Sequence, residues 1–217
     1  MKRKGFLIVV VLLLSLVLTG VAIAWDQSEA LAAASARQAR LRHCITQVEV
    51  VTAEAAEASE ESSAVEEGVG EAATCFATFS EAISAATNGA VQLPPDVTAA
   101  TVTEEMLQAE SPTAVVIGID YDGFNSTDPT LTFFAPNAVG CTTGLSYAKN
   151  TAPTGWNDRA SSAGAGFVGC NRMYHYEGTF ATGAVLRCPA PGNTCAVFGA
   201  MNNRTSSWRF YGGGFHY

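Results

Sequence analysis

The sequence predicts a mainly β fold, a β-sandwich built from one unit used twice, preceded by an N-terminal α-helical hairpin. Three observations predict it. From Ala114 onward, β-branched and apolar stretches alternate with Gly, Asn, Asp and aromatics at fairly even spacing, the texture of an all-β sandwich. In the same half a polar motif occurs twice, 45 residues apart, as Asn157-Asp158-Arg159-Ala160-Ser161-Ser162 and Asn202-Asn203-Arg204-Thr205-Ser206-Ser207. Such self-similarity marks a repeated unit. Ahead of it lie two stretches whose apolar residues recur at helical spacing.

Residues 1–24 read as a signal peptide or membrane anchor. Lys2-Arg3-Lys4 form a positive stub, Phe6 to Leu18 an apolar run, and Ala22-Ile23-Ala24 a small-x-small cleavage site before Trp25. Phe6 to Ala24 also nearly spans a bilayer, so a retained anchor is a second reading. A third is a pilin-type leader with Phe6 opening a long helix, although Val10 stands where that pattern carries glutamate. All three readings place the remainder outside the cytoplasm, secreted or at the cell surface, with membrane contact only through an uncleaved leader.

Residues 25–90 are expected to form an acidic helical hairpin. Asp26 to about Ala55 lacks Gly and Pro and carries Leu41, Cys44, Ile45, Val48 and Val51 at helical spacing. A second pattern runs from about Ser63 to Thr87, with Val69, Ala72, Phe76, Phe79 and Ile83 on one stripe and Asn88-Gly89 as its stop. Folding at Ala58 to Ser63 brings Cys44 and Cys75 to similar heights, where a bridge would staple the pair. Residues 91–112 read as a linker bounded by Pro94-Pro95 and Ser111-Pro112. Inside it, Thr101 and Glu104 resemble a capping box for one short helix from Val102 to Glu110. Residues 113–217 are the sandwich.

The formal net charge is -8, unevenly spread: Trp25 to Pro112 holds fifteen acidic and three basic residues, Thr113 to Tyr217 five and six. Neither part carries a basic stripe, which excludes nucleic acid as an expected partner. Six cysteines, an even number, suit an oxidising compartment. They form no CxxC and no zinc-like spacing with histidine, so sulfur-bound metal is not expected. Proximity pairs Cys188 with Cys195 across a turn-rich stretch.

Each polar motif closes a unit opened by an aromatic-acid-glycine signature: Tyr121-Asp122-Gly123-Phe124, then Tyr176-Glu177-Gly178-Thr179-Phe180, 55 residues on. The first unit therefore holds about ten extra residues, placed within Asn137 to Gly155. Cys141 lies in that insertion and Cys170 opens the second unit, so these two are paired.

Two Tyr-acid-Gly hairpins, each in step with an Asn/Asp-Asn/Asp-x-x-Ser/Thr-Ser stretch, resemble the βγ-crystallin superfamily over roughly Thr113 to Phe210. The stretch Gly155-Trp156-Asn157-Asp158-Arg159-Ala160-Ser161-Ser162 is similar to the secreted bacterial crystallin-like protease inhibitors. The resemblance implies a two-Greek-key crystallin-like β-sandwich and calcium sites at the motifs, up to two ions, with ligand pairs crossed between units. One ion would take Asp158 with Ser206, the other Asn203 with Ser161. Hairpin carbonyls near Tyr121 and Tyr176 would complete the shells. Ca²⁺ accepts six to eight oxygens in flexible geometry. The site at Asn203 lacks a carboxylate and is expected to bind more weakly. Arg159 and Arg204 are expected to lend only carbonyls, their side chains turned to solvent. Asn, Asp and Ser at these offsets also make Asx and Ser turns with no metal.

Catalytic signals are lacking. Of three histidines, His43 falls on the acidic hairpin, His216 at the terminus, and His175 between two tyrosines on a strand, where a satisfied role is expected. No nucleophile elbow, HExxH or phosphate loop occurs. The expectation is a non-enzymatic, secreted or surface-anchored calcium-binding module. Two alternatives stay open: an extracellular protease inhibitor presenting the Asn137 to Gly155 insertion to a protease, and a pilin-like surface filament subunit. In each, the partner is an extracellular protein.

Overall fold

The computed structural model describes residues 42–51, 71–110, 112–136, 139–141, 145–165, 167–188 and 194–212. Among them, the strands are β1 (His43–Gln47), β2 (Glu49–Val51), β3 (Thr74–Phe76), β4 (Val115–Tyr121), β5 (Thr130–Ala135), β6 (Ser146–Lys149), β7 (Ser162–Ala165), β8 (Arg172–Tyr176), β9 (Val185–Cys188), β10 (Thr194–Cys195) and β11 (Ser207–Tyr211). Two helices, α1 (Phe79–Ala86) and α2 (Glu104–Leu107), precede β4. The strands make two sheets, in the orders β10-β7-β4-β5-β1-β3 and β2-β6-β11-β8-β9.

The sequence duplication reappears as paired strands. Tyr121 faces Thr130 and Ser162 across the ladders of the first sheet, and Tyr176 faces Val185 and Ser207 across those of the second. Strands β4 to β7 therefore correspond to β8 to β11. Each unit lends its third strand to the other's sheet, β6 lying beside β11 and β10 beside β7. The frame β10-β7-β4-β5 is thus matched by β6-β11-β8-β9. Strands β1 and β3 extend the first frame past β5, and β2 extends the second past β6.

A hydrophobic core lies between the sheets. Val115, Ile117, Leu131 and Phe133 of the first meet Tyr147, Met173, Trp208 and Phe210 of the second, all buried. The Phe133 ring sits 5.1 Å from both Trp208 and Phe210. Gly118 permits that approach, since a Cβ there would fall 2.8 Å from the Phe210 ring. A second core covers the other face of the first sheet: Phe79, Ile83, Val91, Leu93, Ala99 and Leu107 pack with Ile45, Val116, Ile119 and Tyr121. Strand β4 is therefore buried on both faces, which is why Val115 to Ile119 reads as a continuous apolar run ahead of Asp120.

Two expectations are corrected here. Over its described part the first expected helix is strand: β1 pairs in parallel with β5, and β2 joins the other sheet. Cys44 and Val48 face the inter-sheet core while Ile45 faces the helix side. A strand buried on both faces loses its alternation, and its apolar spacing then imitates a helix. The second expected helix begins late, at Phe79, after β3. A capping box sets that start: Glu81 N–H donates to Thr78 Oγ1 (3.2 Å), and Thr78 N–H donates to the Glu81 carboxylate (3.1 Å). Its stop is where the sequence placed it, with Asn88 and Gly89 both at positive φ. The expected linker is packed down as part of the second core, and its helix is only Glu104–Leu107, with Thr101 bonded to Thr98 instead of Glu104. The leader and the remainder of the expected hairpin lie outside the described residues.

All three expected disulfides are present: Cys44–Cys75, Cys141–Cys170 and Cys188–Cys195. The first joins directly opposed residues of β1 and β3, a register that serves a bridge as well as the expected helices would have.

Candidate metal centre

The two polar motifs cross each other, and nearly every contact occurs twice. Asp158 and Asn203 hold equivalent left-handed conformations, φ 56 and 55, which short polar side chains tolerate best. The backbone N–H of Asp158 donates to the Thr205 carbonyl (3.1 Å), and that of Asn203 to the Ala160 carbonyl (3.0 Å). Each loop is thus held by the other unit.

The hairpins close onto the same loops. Ser161 N–H donates to the Tyr121 carbonyl and Ser206 N–H to the Tyr176 carbonyl, both at 2.8 Å. The next hydroxyls, Ser162 Oγ and Ser207 Oγ, donate to the Gly123 and Gly178 carbonyls, both at 2.6 Å. They accept in turn from Ser126 N–H (3.1 Å) and Ala181 N–H (3.0 Å). Gly123 and Gly178 are required: an added Cβ would lie 1.8 Å from Thr127 Oγ1 and 2.2 Å from Thr182 Oγ1.

Of the expected ligand pairs, Asn203 and Ser161 touch through their side chains, with Ser161 Oγ donating to Asn203 Oδ1 at 3.0 Å. Asp158 and Ser206 come together through the backbone crossing, while the Asp158 carboxylate accepts from Asn157 Nδ2 at 2.8 Å. Ser161 and Ser206 are buried, and Asp158 and Asn203 reach solvent. Tyr121 and Tyr176 face the loops with their carbonyls. The Tyr121 hydroxyl points away and donates to the Ala99 carbonyl (2.8 Å), its ionisation pushed up by burial. Burial likewise pushes Tyr176 up to about 12.

The arginines extend an expectation. Arg159 and Arg204 keep 40% and 46% of their side chains exposed, and each guanidinium also pairs with the acid of its own hairpin, Asp122 and Glu177. Each also donates through Nη1 to the carbonyl four residues before it, Gly155 and Ala200, both at 3.0 Å. The Arg204 hydrogen bond holds the Glu177 carboxyl below the usual carboxylate range. A planar, permanently charged fork suits such a bridge between two loops. These pairs engage one carboxylate oxygen each, Asp122 Oδ2 and Glu177 Oε1.

The oxygens left at the crossing are the Asp158 carboxylate, the Asn203 amide, two serine hydroxyls and the hairpin carbonyls. That donor set is all oxygen and suits a hard cation. The second motif also holds two buried oxygens, Asn202 Oδ1 and Thr205 Oγ1, that have no hydrogen-bond partner. A cation or water would satisfy them. Among the described residues no cluster of three or more His, Cys, Asp or Glu side chains could hold a metal. Beyond the single Asp158 carboxylate, any ion here depends on neutral oxygens.

One constellation escaped the sequence reading. Asp120 is fully buried and accepts from His175 Nε2 (2.8 Å) and Trp208 Nε1 (2.7 Å), both also fully buried. Asp120 and His175 lie 55 residues apart and one residue before the two signature tyrosines. Equivalent positions of the two units therefore meet across the sandwich, and that offset was the available signal. His43, expected on a helix, is buried in β1 with Nδ1 3.0 Å from Thr130 Oγ1. Comparison with protein-family models, with curated proteins and with solved structures finds no match to this chain.

Proposed function

We propose that the protein is an extracellular, non-catalytic calcium-binding module, a two-Greek-key crystallin-like sandwich whose crossed loops take up to two ions. The reading rests on one observation: the two motifs exchange backbone hydrogen bonds and bring Ser161 Oγ to Asn203 Oδ1. The strand exchange between the two frames supports this reading. Three disulfides agree with an oxidising compartment.

Asp158 with Ser206 would hold one ion, and Asn203 with Ser161 the other, each with hairpin carbonyls and water. At the second site an ion would displace the Ser161 to Asn203 hydrogen bond and share both oxygens. The bound ion supplies a cross-link between loops of different units and performs no chemistry. The Asp158 site carries the formal charge and is the tighter of the two. Extracellular modules work with dissociation constants of about 10⁻⁴–10⁻³ M.

Calorimetric titration with calcium tests this. Two events are expected, and Asp158→Ala should remove the tighter while Asn203→Ala removes the weaker. Absence of heat at millimolar calcium in the folded protein would sink the proposal.

A further inference from the structure

The two frames are equivalent, but their edges are not equally covered. In the first sheet the outer edge of β5 is occupied by β1, which runs parallel to it with Cys44 beside Leu131 and Ile45 beside Thr132. Residues Thr130, Leu131, Thr132 and Phe133 are fully buried as a result. In the second sheet the equivalent strand is β9, and among the described residues it is terminal. Val185, the counterpart of Thr130, is 40% exposed, and Leu186, the counterpart of Leu131, is only half-buried. Arg187 is exposed, its guanidinium over the Tyr174 ring.

The opposite edge of the same sheet is β2, also terminal among the described residues, with Glu49 exposed and Val50 46% exposed. Every step from β2 through β6, β11 and β8 to β9 is antiparallel. Four reversals leave β2 and β9 pointing the same way. A second copy placed beside the first without inversion would therefore lay its β2 parallel to β9, the sense in which β1 already lies on β5.

The two edges also match by face. Val50 sits opposite core-facing Tyr147, and Leu186 opposite core-facing His175. Glu49 sits opposite Ala148 on the outer face, and Arg187 opposite Tyr174 on that same face. In the parallel register that sets Val50 beside Leu186 on the core side, Glu49 falls beside Val185 and Val51 beside Arg187 on the outer face, so the Glu49 carboxylate and the Arg187 guanidinium are diagonal neighbours there. Diagonal neighbours stay within reach of long side chains.

We propose that this protein associates with further copies of itself, head to tail, by adding β2 of one molecule to β9 of the next. The contact joins two different surfaces, so it does not close on itself as a two-fold dimer does, and it propagates as an open chain. Backbone ladder bonds supply the affinity, and the Glu49 to Arg187 pairing sets the direction. The contact uses neither crossed loop, so it stands whether or not those loops take calcium.

Sedimentation velocity on the full chain across a concentration series is the test, with Glu49→Arg and Arg187→Glu prepared separately. The unaltered protein should show a weight-average sedimentation coefficient that keeps rising with concentration. Each variant alone sets like charges at every junction and should weaken association by roughly tenfold or more. An equimolar mixture of the two restores opposite charges at every junction and should recover assembly. Only a contact between two different edges predicts both the loss in each variant alone and the recovery in the mixture, since a contact between like edges already opposes like charges in the unaltered protein. A protein that stays monomeric throughout, growth that stops at a dimer, or variants that assemble alone as well as mixed would each overturn the proposal. Circular dichroism confirms that both variants remain folded, as expected for exposed positions.

Discussion

Asp120 and Asp122 stand two residues apart at the end of one strand, and the structure predicts opposite consequences for removing them. In Asp120→Ala, His175 Nε2 and Trp208 Nε1 lose their acceptor at a site with no access to water. Each abandoned buried donor costs about 1–3 kcal/mol, and losing one partner of a buried pair costs about 3–5 kcal/mol. The two ranges overlap at about 3–5 kcal/mol, so that is the expected loss. At about 2–4 °C per kcal/mol for a domain of this size, the melting temperature should fall by about 6–20 °C. Asp120→Asn should fall between, because the amide keeps one acceptor and turns a donor toward the other donor. Asp122→Ala breaks an ion pair whose partners are 30% and 40% exposed, and should cost only about 0–1 kcal/mol. Urea unfolding of the three variants under oxidising conditions measures the differences. A loss below about 1 kcal/mol for Asp120→Ala, or equal losses at both positions, would refute the reasoning that the buried carboxylate ties the two sheets together.

Two other outcomes are expected. Burial lowers the His43 pKa from its ordinary value, against an opposing pull from Asp128 and in the same direction as Arg42. The folded state thus favours the neutral ring, so this contribution to stability is complete above the ordinary value near 6.5 and is lost as pH falls through the lowered one. The urea midpoint should decline on acidification below about pH 6.5, and His43→Gln should flatten that part of the curve. Gly123→Ala and Gly178→Ala should each destabilise by about 1–3 kcal/mol, and by similar amounts, because the hairpins are equivalent. Adding Thr127→Ala to the first and Thr182→Ala to the second should recover part of the loss in thermal melts, since those hydroxyls meet the new Cβ.

The duplication, the sandwich class and the disulfide pairing were legible in the chain, and the crossing of the motifs was implied only by the crystallin resemblance. What was legible rests on local or repeating information. A turn needs particular residues at particular offsets, and a unit used twice repeats those offsets: Gly123 with Gly178, Asp158 with Asn203, Ser161 with Ser206. The arginine pairs were missed because nothing local tells a guanidinium that only faces solvent from one also paired with a distant carboxylate, 37 residues away for Arg159 and 27 for Arg204.

Placement of residues 42–51 and 71–107 was decided only by the tertiary structure. The stretch from Leu41 to Val51 carries apolar spacing compatible with helix or strand, and its intrinsic preference does not separate them. What separates them is the open edge of β5, which offers unpaired backbone groups and an uncovered apolar flank that a strand satisfies and a helix cannot. The residues between Thr78 and Leu107 fold over the outer face of β4 and β5 for the same reason, since that face is too apolar to leave in water. Asp120 shows the limit most plainly. As sequence it is one of two acids beside a tyrosine. Only when the two units close face to face do His175 and Trp208 arrive to make it the polar centre of the core.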